Sequence, residues 1–220
     1  MIRNIPLAAM VGLMFTGLYF AMAILAPWIA PYGMAEIVGD VWEPSSPEHL
    51  LGTDNIGRDL LTRMIYGGRT TIFIATVATL ISFCTGSILG FLAAVAGGWV
   101  DQLLSRFVDL VMSIPSLILA LVILSVMPVT VPVLVVVMGF LDSTRVFRLS
   151  RAVAVDITVM DYVEAAKLRG EGYRWVIFRE ILPNALSPLV AEMGLRFIFM
   201  VLFIWSTGFS LFFAEMNLCD

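Results

Sequence analysis

Long uncharged apolar runs alternate with short polar segments along this chain, and the alternation predicts a series of membrane-spanning helices. A helix needs about 20 predominantly apolar residues to cross the hydrocarbon core. The first run, Asn4 to Ala35, carries no charge and predicts a helix over about 6–29 that ends near Pro27 and Pro31. No small-residue cleavage site follows a short apolar core, so a retained helix fits better than a signal peptide. The next stretch, 32–69, is polar and rich in Pro, Gly and Ser. It reads as a loop followed by a short amphipathic helix around 57–68. Thr70 to Val100 is again uncharged and holds the second span. Gly97-Gly98 with Asp101 marks a tight turn, and Leu103 to Met127 reads as the third span. Pro128 and Pro132 interrupt the pattern, and a fourth span follows over about 132–150. A polar segment, 142–183, separates it from a fifth apolar helix over about 186–213. The expected fold is all-α, a polytopic transmembrane helical bundle of about five spans.

Composition agrees with this reading. Hydrophobic residues make up 60% of the chain and charged residues 14%, where soluble domains carry about 25% charged residues. A mean hydropathy of +0.97 leaves too much apolar surface for a soluble domain of this length. The net charge of -4 says less than its distribution. Arg145, Arg148, Arg151, Lys167, Arg169, Arg174 and Arg179 crowd into 142–183, whereas 32–69 holds only Arg58, Arg63 and Arg69. Lys and Arg favour cytoplasmic loops. That rule puts 142–183, the N-terminus with Arg3 and the turn before Arg106 inside, and 32–69 outside. Cys84 and Cys219 show no disulfide or metal spacing, and Cys84 reads as a small packing residue. His49 beside Glu48 reads as a solvated loop residue. No catalytic constellation, metal site or cofactor motif is evident, and no G-x-x-x-x-G-K-[ST] loop occurs that would bind nucleotide.

The segment DITVMDYVEAAKLRGEGYRWVIFREILPNALSPLV stands out. Residues 152–168 are good helix formers with apolar positions at helical spacing. Gly170 and Gly172 would stop that helix, since glycine accepts the backbone conformations needed there. A second short helix is expected over about 173–181, with Pro183 as a breaker before the membrane resumes. The residues alone allow two readings: an ordinary amphipathic surface loop, or a docking knob for a soluble partner. Farther upstream, Gly52 and Gly57 permit turns and Asp54 can cap the helix after them. That stretch either orients the second span or meets an extracytoplasmic partner. Gly86 and Gly90 have a spacing that lets helices approach closely. Glu192 and Arg196, four residues apart, can pair on one helix face near the membrane interface.

Glu164-Ala165-Ala166, Gly170 six residues after the Glu, and Ile181-Leu182-Pro183 together resemble the EAA loop of ABC importer permeases. Leu51-Gly52-Thr53-Asp54-Asn55-Ile56-Gly57-Arg58-Asp59-Leu60, continued by Arg63, Ile65-Tyr66-Gly67 and Arg69, is similar to a stretch of the second permease in dipeptide, oligopeptide and nickel importers. Ser113-Ile114-Pro115 also matches that branch. Glu180 departs from the EAA-loop pattern, standing where many relatives carry His before the Ile-Leu-Pro. The resemblance implies a permease subunit of the inner membrane, with one permease domain over 1–220. Within it lie the first helix (1–31), the periplasmic loop (32–69) and a core (70–220) with the cytoplasmic coupling loop at 152–183. It implies Glu164, Ala165, Ala166, Gly170 and Pro183 as the ATPase-coupling residues, and Gly52, Thr53, Asp54, Gly57, Arg58 and Asp59 as the periplasmic motif. The implied partners are a second permease subunit, two cytoplasmic ATP-binding subunits, a periplasmic solute-binding protein and lipid, without nucleic acid. Pairing with an identical or a different permease chain stays open.

The resemblance is followed to about Ile204. Trp205-Ser-Thr-Gly-Phe and the residues after it leave the pattern, which predicts a truncated or frameshifted copy with Phe209, Leu211, Phe212 and Phe213 exposed. A self-sufficient carrier would call for ionisable residues deep in the spans, and only Asp109, Glu192 and Arg196 approach the bilayer in this reading. A membrane enzyme would call for a catalytic pair. The importer permease, not itself an enzyme, is therefore the expected function. The resemblance implies a di- or oligopeptide cargo, moved by alternating access driven from separate ATPase subunits; the alternatives are nickel or another small solute, or a non-functional truncated copy.

Overall fold

The computed structural model describes the backbone of residues 7–127 and 130–216 and the side chains of 10–127 and 130–206. Arg3, Pro128, Phe209, Leu211, Phe212, Phe213 and Cys219, on which parts of the sequence reading rest, lie outside the described residues or side chains. The described chain is all-α, 78% helical and without strands. In order the helices are α1 (Leu7–Ile29), α2 (Leu60–Ala96), α3 (Gly98–Met112), α4 (Ser116–Val126), α5 (Val131–Thr158), α6 (Asp161–Leu168), α7 (Tyr173–Trp175), a π-helical stretch (Val176–Ile181) and α8 (Leu182–Met216). Three helical stretches are long and apolar enough to cross a membrane, Met10–Ile29, Leu60–Ala96 and Tyr173–Ser206, and the bent pair α3–α4 makes a fourth. The remaining expected span corresponds to α5, whose apolar first half, Val131 to Leu141, leads into Asp142, Arg145 and Arg148.

Several element boundaries differ from the sequence reading, each for a local reason. The short helix around 57–68 and the second span are one helix, α2, of 37 residues. Gly67 and Gly68 sit inside it, because each glycine lowers helix stability by only about 1 kcal/mol. At 1.5 Å per residue such a helix is about 55 Å long, well beyond the ~30 Å hydrocarbon core. The third span does not run unbroken from 103 to 127. It begins at Gly98 and bends by 82° between α3 and α4. Pro115 disfavours helical geometry at Ile114 and supplies no N–H, while Ser113 closes α3 by donating to the Leu110 carbonyl at 2.7 Å. The helix proposed over 152–168 is likewise two helices, α5 and α6, parted at Val159-Met160. Pro183 does not break the chain. Helical backbone continues from Tyr173 into α8, and the wider π-helical turn just ahead of Pro183 accommodates the missing donor.

The chain divides into two compact units, 1–73 and 74–220. In the first, α1 precedes a folded loop that leads into the start of α2. In the second, α5 is the hub and packs on α3, α4, α6 and α8. Gly86 and Gly90 of α2 lie against the α5 backbone at Ser143 and Phe147, and Gly139 of α5 lies against Ala78. The small-residue spacing in α2 is therefore a true helix contact. Ser150, fully buried, bonds Ser87 across it at 3.2 Å. Cys84, by contrast, is exposed rather than packed, because it sits on the opposite face of that same helix.

Candidate functional site

At the end of α5 the chain makes a two-part knob. The N–H of Val163 bonds the Met160 carbonyl and starts α6. Gly170 ends it with φ of +83°, a left-handed value that L side chains avoid. The Gly170 N–H donates to Lys167 O at 2.9 Å and the Glu171 N–H to Ala166 O at 3.2 Å. Those two bonds form a Schellman cap, which satisfies carbonyls that would otherwise lack partners at the helix end. Gly172, also expected as a stop, has an ordinary extended backbone with φ of -73°. The Arg169 guanidinium stacks 5.5 Å from the Trp175 ring and ties the two sides of the turn together.

Burial splits the expected coupling residues into two groups. Val163 and Ala166 are fully buried in a core with Ile157, Val176, Ile177 and Ile181. Glu164, Ala165, Gly170 and Pro183 are exposed. Ala166 therefore cannot meet a partner directly, as the sequence reading had it, and instead lets α6 sit close on its own scaffold. Around the exposed residues lies apolar surface: Leu168 is 83% exposed and Val159 75%, with Tyr162, Tyr173 and Phe178 also outward. A rigidly anchored, glycine-angled tip with uncovered aliphatic and aromatic side chains is suited to insertion into a groove.

The 32–69 loop is just as ordered. Thr53 and Asp59 form an antiparallel bridge around the turn Asp54–Gly57, and Gly57 N–H donates to Asp54 O at 3.2 Å. Cβ atoms at Gly52 or Gly57 would run into the carbonyls of Glu43 or Gly39. The Thr53 hydroxyl donates to Asp40 O and accepts from Glu43 N–H at 2.8 Å. Asp59, not Asp54, caps α2, accepting from Thr62 N–H at 2.7 Å. Asp54 closes the turn instead, accepting from Ile56 N–H at 2.8 Å and Arg58 N–H at 3.0 Å and pairing with Arg63. His49 is not solvated. It is 3% exposed, tilted against Tyr32, with Nδ1 3.5 Å from Asp59. Thr53, Asp54 and Asp59 are thus buried framework residues of this loop.

The backbone N–H of Arg58 at Asp54, joined by Ile56 N–H and the Arg63 guanidinium, holds this carboxyl below its ordinary 3.8. Native structure therefore favours the ionised form. The stabilisation is complete above pH 3.8 and is lost as pH falls through the lower, folded value. Protease nicking of the loop in right-side-out vesicles is expected to rise only in that acidic window. Asp54→Asn should make nicking high and nearly flat with pH; a wild-type profile in that variant would show that Asp54 does not hold the loop.

A further cluster escaped the sequence reading, which assigned Asp142 to the polar segment. Asp142 lies eleven residues into α5, about 16 Å along its axis. Its side chain is 12% exposed, and it accepts from the Ser82 hydroxyl at 3.0 Å. Arg196 of α8 stands 3.7 Å from Asp142 and 2.5 Å from Glu192. The Glu192–Arg196 pair is present, but as part of a three-helix polar cluster rather than alone at the interface. The available signal was a lone Asp directly behind the apolar run Val131–Leu141, within the length of one span.

Comparison with known proteins covers both units. The family described as binding-protein-dependent transport system inner membrane component matches residues 86–215. The N-terminal TM domain of oligopeptide transport permease C matches 8–43. The first match continues past Ile204, where the sequence reading had the resemblance stop. The dipeptide transport system permease protein DppC of Haemophilus influenzae is 33% identical over 91% of this chain and 70% of its own length. DppC of Escherichia coli K12 is 36% identical over 91% and 69%. The di/tripeptide transport system permease protein DppC of Pseudomonas aeruginosa is 34% identical over the same shares.

Proposed function

Because the chain belongs to the family of binding-protein-dependent transport system inner membrane components, we propose that it is the membrane-spanning permease subunit of an ATP-driven importer of di- and oligopeptides. The observation that carries the mechanism is the knob α6–Gly170–α7: anchored by Val163 and Ala166 and uncovered at Glu164, Ala165 and Leu168. In this reading the knob is cytoplasmic, in keeping with the Lys/Arg excess of 142–183, and sits in a groove of a separate ATPase subunit. Nucleotide-driven closure of two such subunits moves the knob. Its core is continuous with residues of α5 and α8, so the movement passes into the membrane helices. A second permease chain completes the path, and a periplasmic binding protein delivers cargo on the side of 32–69. The peptide cargo is favoured over nickel by the names of the relatives.

The test is uptake of a radiolabelled dipeptide into proteoliposomes holding this chain with a second permease, ATPase subunits and a binding protein. Uptake is expected only with ATP and binding protein together. Uptake by this chain alone, without ATP, would instead make it a self-sufficient carrier.

A further inference from the structure

A cavity of about 300 Å³ lies between α4, α5 and α8, with Asp142 of the polar cluster in its lining. Its polar lining includes Asp142, Arg145 and Ser116, and its apolar walls include Leu141, Phe199 and Phe203. The volume is at the lower end of the range for small-ligand sites, and a few fixed polar groups on apolar walls are their usual make-up. Asp142 retains acceptor capacity. It accepts from the Ser82 hydroxyl and stands 3.7 Å from the Arg196 guanidinium, with the charges of Arg145 and Glu192 also acting on it, whereas Glu192 takes the short contact with Arg196. A carboxylate has about four lone-pair sites. Arg145, one turn farther along α5, is exposed and makes one long bond, 3.4 Å, to Ser116 Oγ. An anion and a cation thus face one cavity at (i, i+3) spacing, where Cβ atoms are about 5–6 Å apart.

We propose that this cavity is a transit site for a short zwitterionic peptide, with the terminal ammonium on Asp142, the terminal carboxylate on Arg145 and side chains against Phe199 and Phe203. The inference rests on the peptide-import reading above and adds the residues that hold the cargo within the membrane. Two extended residues span at most about 7 Å, which suits charges one helical turn apart. Pairing at both ends also compensates the charges that a free peptide carries into a low-dielectric path, where an unpaired ion is costly. The planar fork of Arg145 takes a carboxylate in two parallel bonds.

A dipeptide bearing a photoreactive phenylalanine tests the site in the fully assembled transporter in proteoliposomes, with uptake measured in the same vesicles. Label is expected within 138–145 and 199–206. Excess free dipeptide should compete it away, and the N-acetylated, C-amidated dipeptide should not. Arg145→Gln should lower labelling and uptake of the free dipeptide by fivefold or more. It should leave unchanged the weak uptake of the C-amidated dipeptide, and Arg145→Lys should restore part of the loss. Asp142 is the poorer variant, because it also anchors Ser82 and Arg196. Label elsewhere with uptake intact, equal competition by the capped peptide, or an equal loss for both peptides in Arg145→Gln would overturn the site while leaving the import reading standing. Absence of uptake in the wild-type assembly would remove the import reading, and the site with it.

Discussion

Replacing Gly170 by valine is expected to release the proposed ATPase partner while the chain stays inserted and abundant. The φ of +83° is the reason. A Cβ at this position meets nothing within 4 Å, so the cost is one of backbone conformation and not of packing. Left-handed geometry costs an L residue about 1–2 kcal/mol, and a β-branched side chain tolerates it least. Relaxing that strain undoes the Schellman bonds and turns α6 against α7, so the tip no longer fits its groove. A penalty of 1.4 kcal/mol is a factor of ten in an equilibrium constant, and co-purification of the ATPase should fall by about that factor. Gly170→Asn, which tolerates the left-handed region better, should retain most of it. If Gly170→Val keeps wild-type co-purification and peptide-stimulated ATP hydrolysis, the knob is only a surface helix pair.

The neighbouring alanines sharpen the same test. Ala165→Leu adds bulk to an exposed position, so abundance should hold while docking fails. Ala166→Leu forces bulk into a site that is 0% exposed. Overpacking of that kind costs about 1–3 kcal/mol, and abundance should fall first. Glu164→Lys should weaken docking through charge alone, with greater loss at low salt.

Long uncharged apolar runs made the helices and their order legible, because a span must be long, apolar and internally hydrogen-bonded. Gly170 was legible too, since its residue type reports a backbone requirement. Boundaries set by tertiary packing were not. Gly67 and Gly68 look like breakers, yet α2 runs through them. Pro183 looks like a stop, yet the π-helical turn absorbs it. Local sequence does not say which backbone groups find other partners. The division between Ala165 and Ala166 was hidden for another reason: both are small, and only the core beneath α6 distinguishes the inward from the outward residue. His49 reads as solvated because it stands in a polar segment, whereas the Thr53–Asp59 bridge folds that segment over it. Asp142 is hidden because a first charge after an apolar run looks like the start of a polar stretch. In the structure α5 continues as one helix through that charge and carries it beside Arg196.

Gly90→Leu is expected to be strongly damaging to the membrane core. A Cβ there would stand 2.8 Å from Phe147 O, 2.9 Å from Arg151 N and 3.0 Å from Ser150 Cβ. Two of the three are backbone atoms of α5, so no side-chain rotation relieves the clash, and the helices must part. One turn earlier, Gly86 meets the Ser143 carbonyl at 2.6 Å, so the two glycines form one continuous contact line. In lipid, packing and interhelical hydrogen bonds hold helices together, because apolar burial gives little drive there. Separation would therefore also cost the Ser87–Ser150 and Ser82–Asp142 bonds. Overpacking alone costs about 1–3 kcal/mol, with each kcal/mol lowering a melting midpoint by roughly 2–4 °C for soluble chains of this size. Gly12→Leu is the control: its Cβ meets nothing within 4 Å, and that variant should behave as wild type. Monodispersity after heating in detergent separates the outcomes. Equal tolerance of both variants would mean that α2 and α5 are not held by this line. Because α5 carries Asp142 at its middle and α6 at its end, a displaced α5 should also lower dipeptide uptake and ATPase co-purification together, whereas Gly170→Val and Arg145→Gln each strike one end of that path.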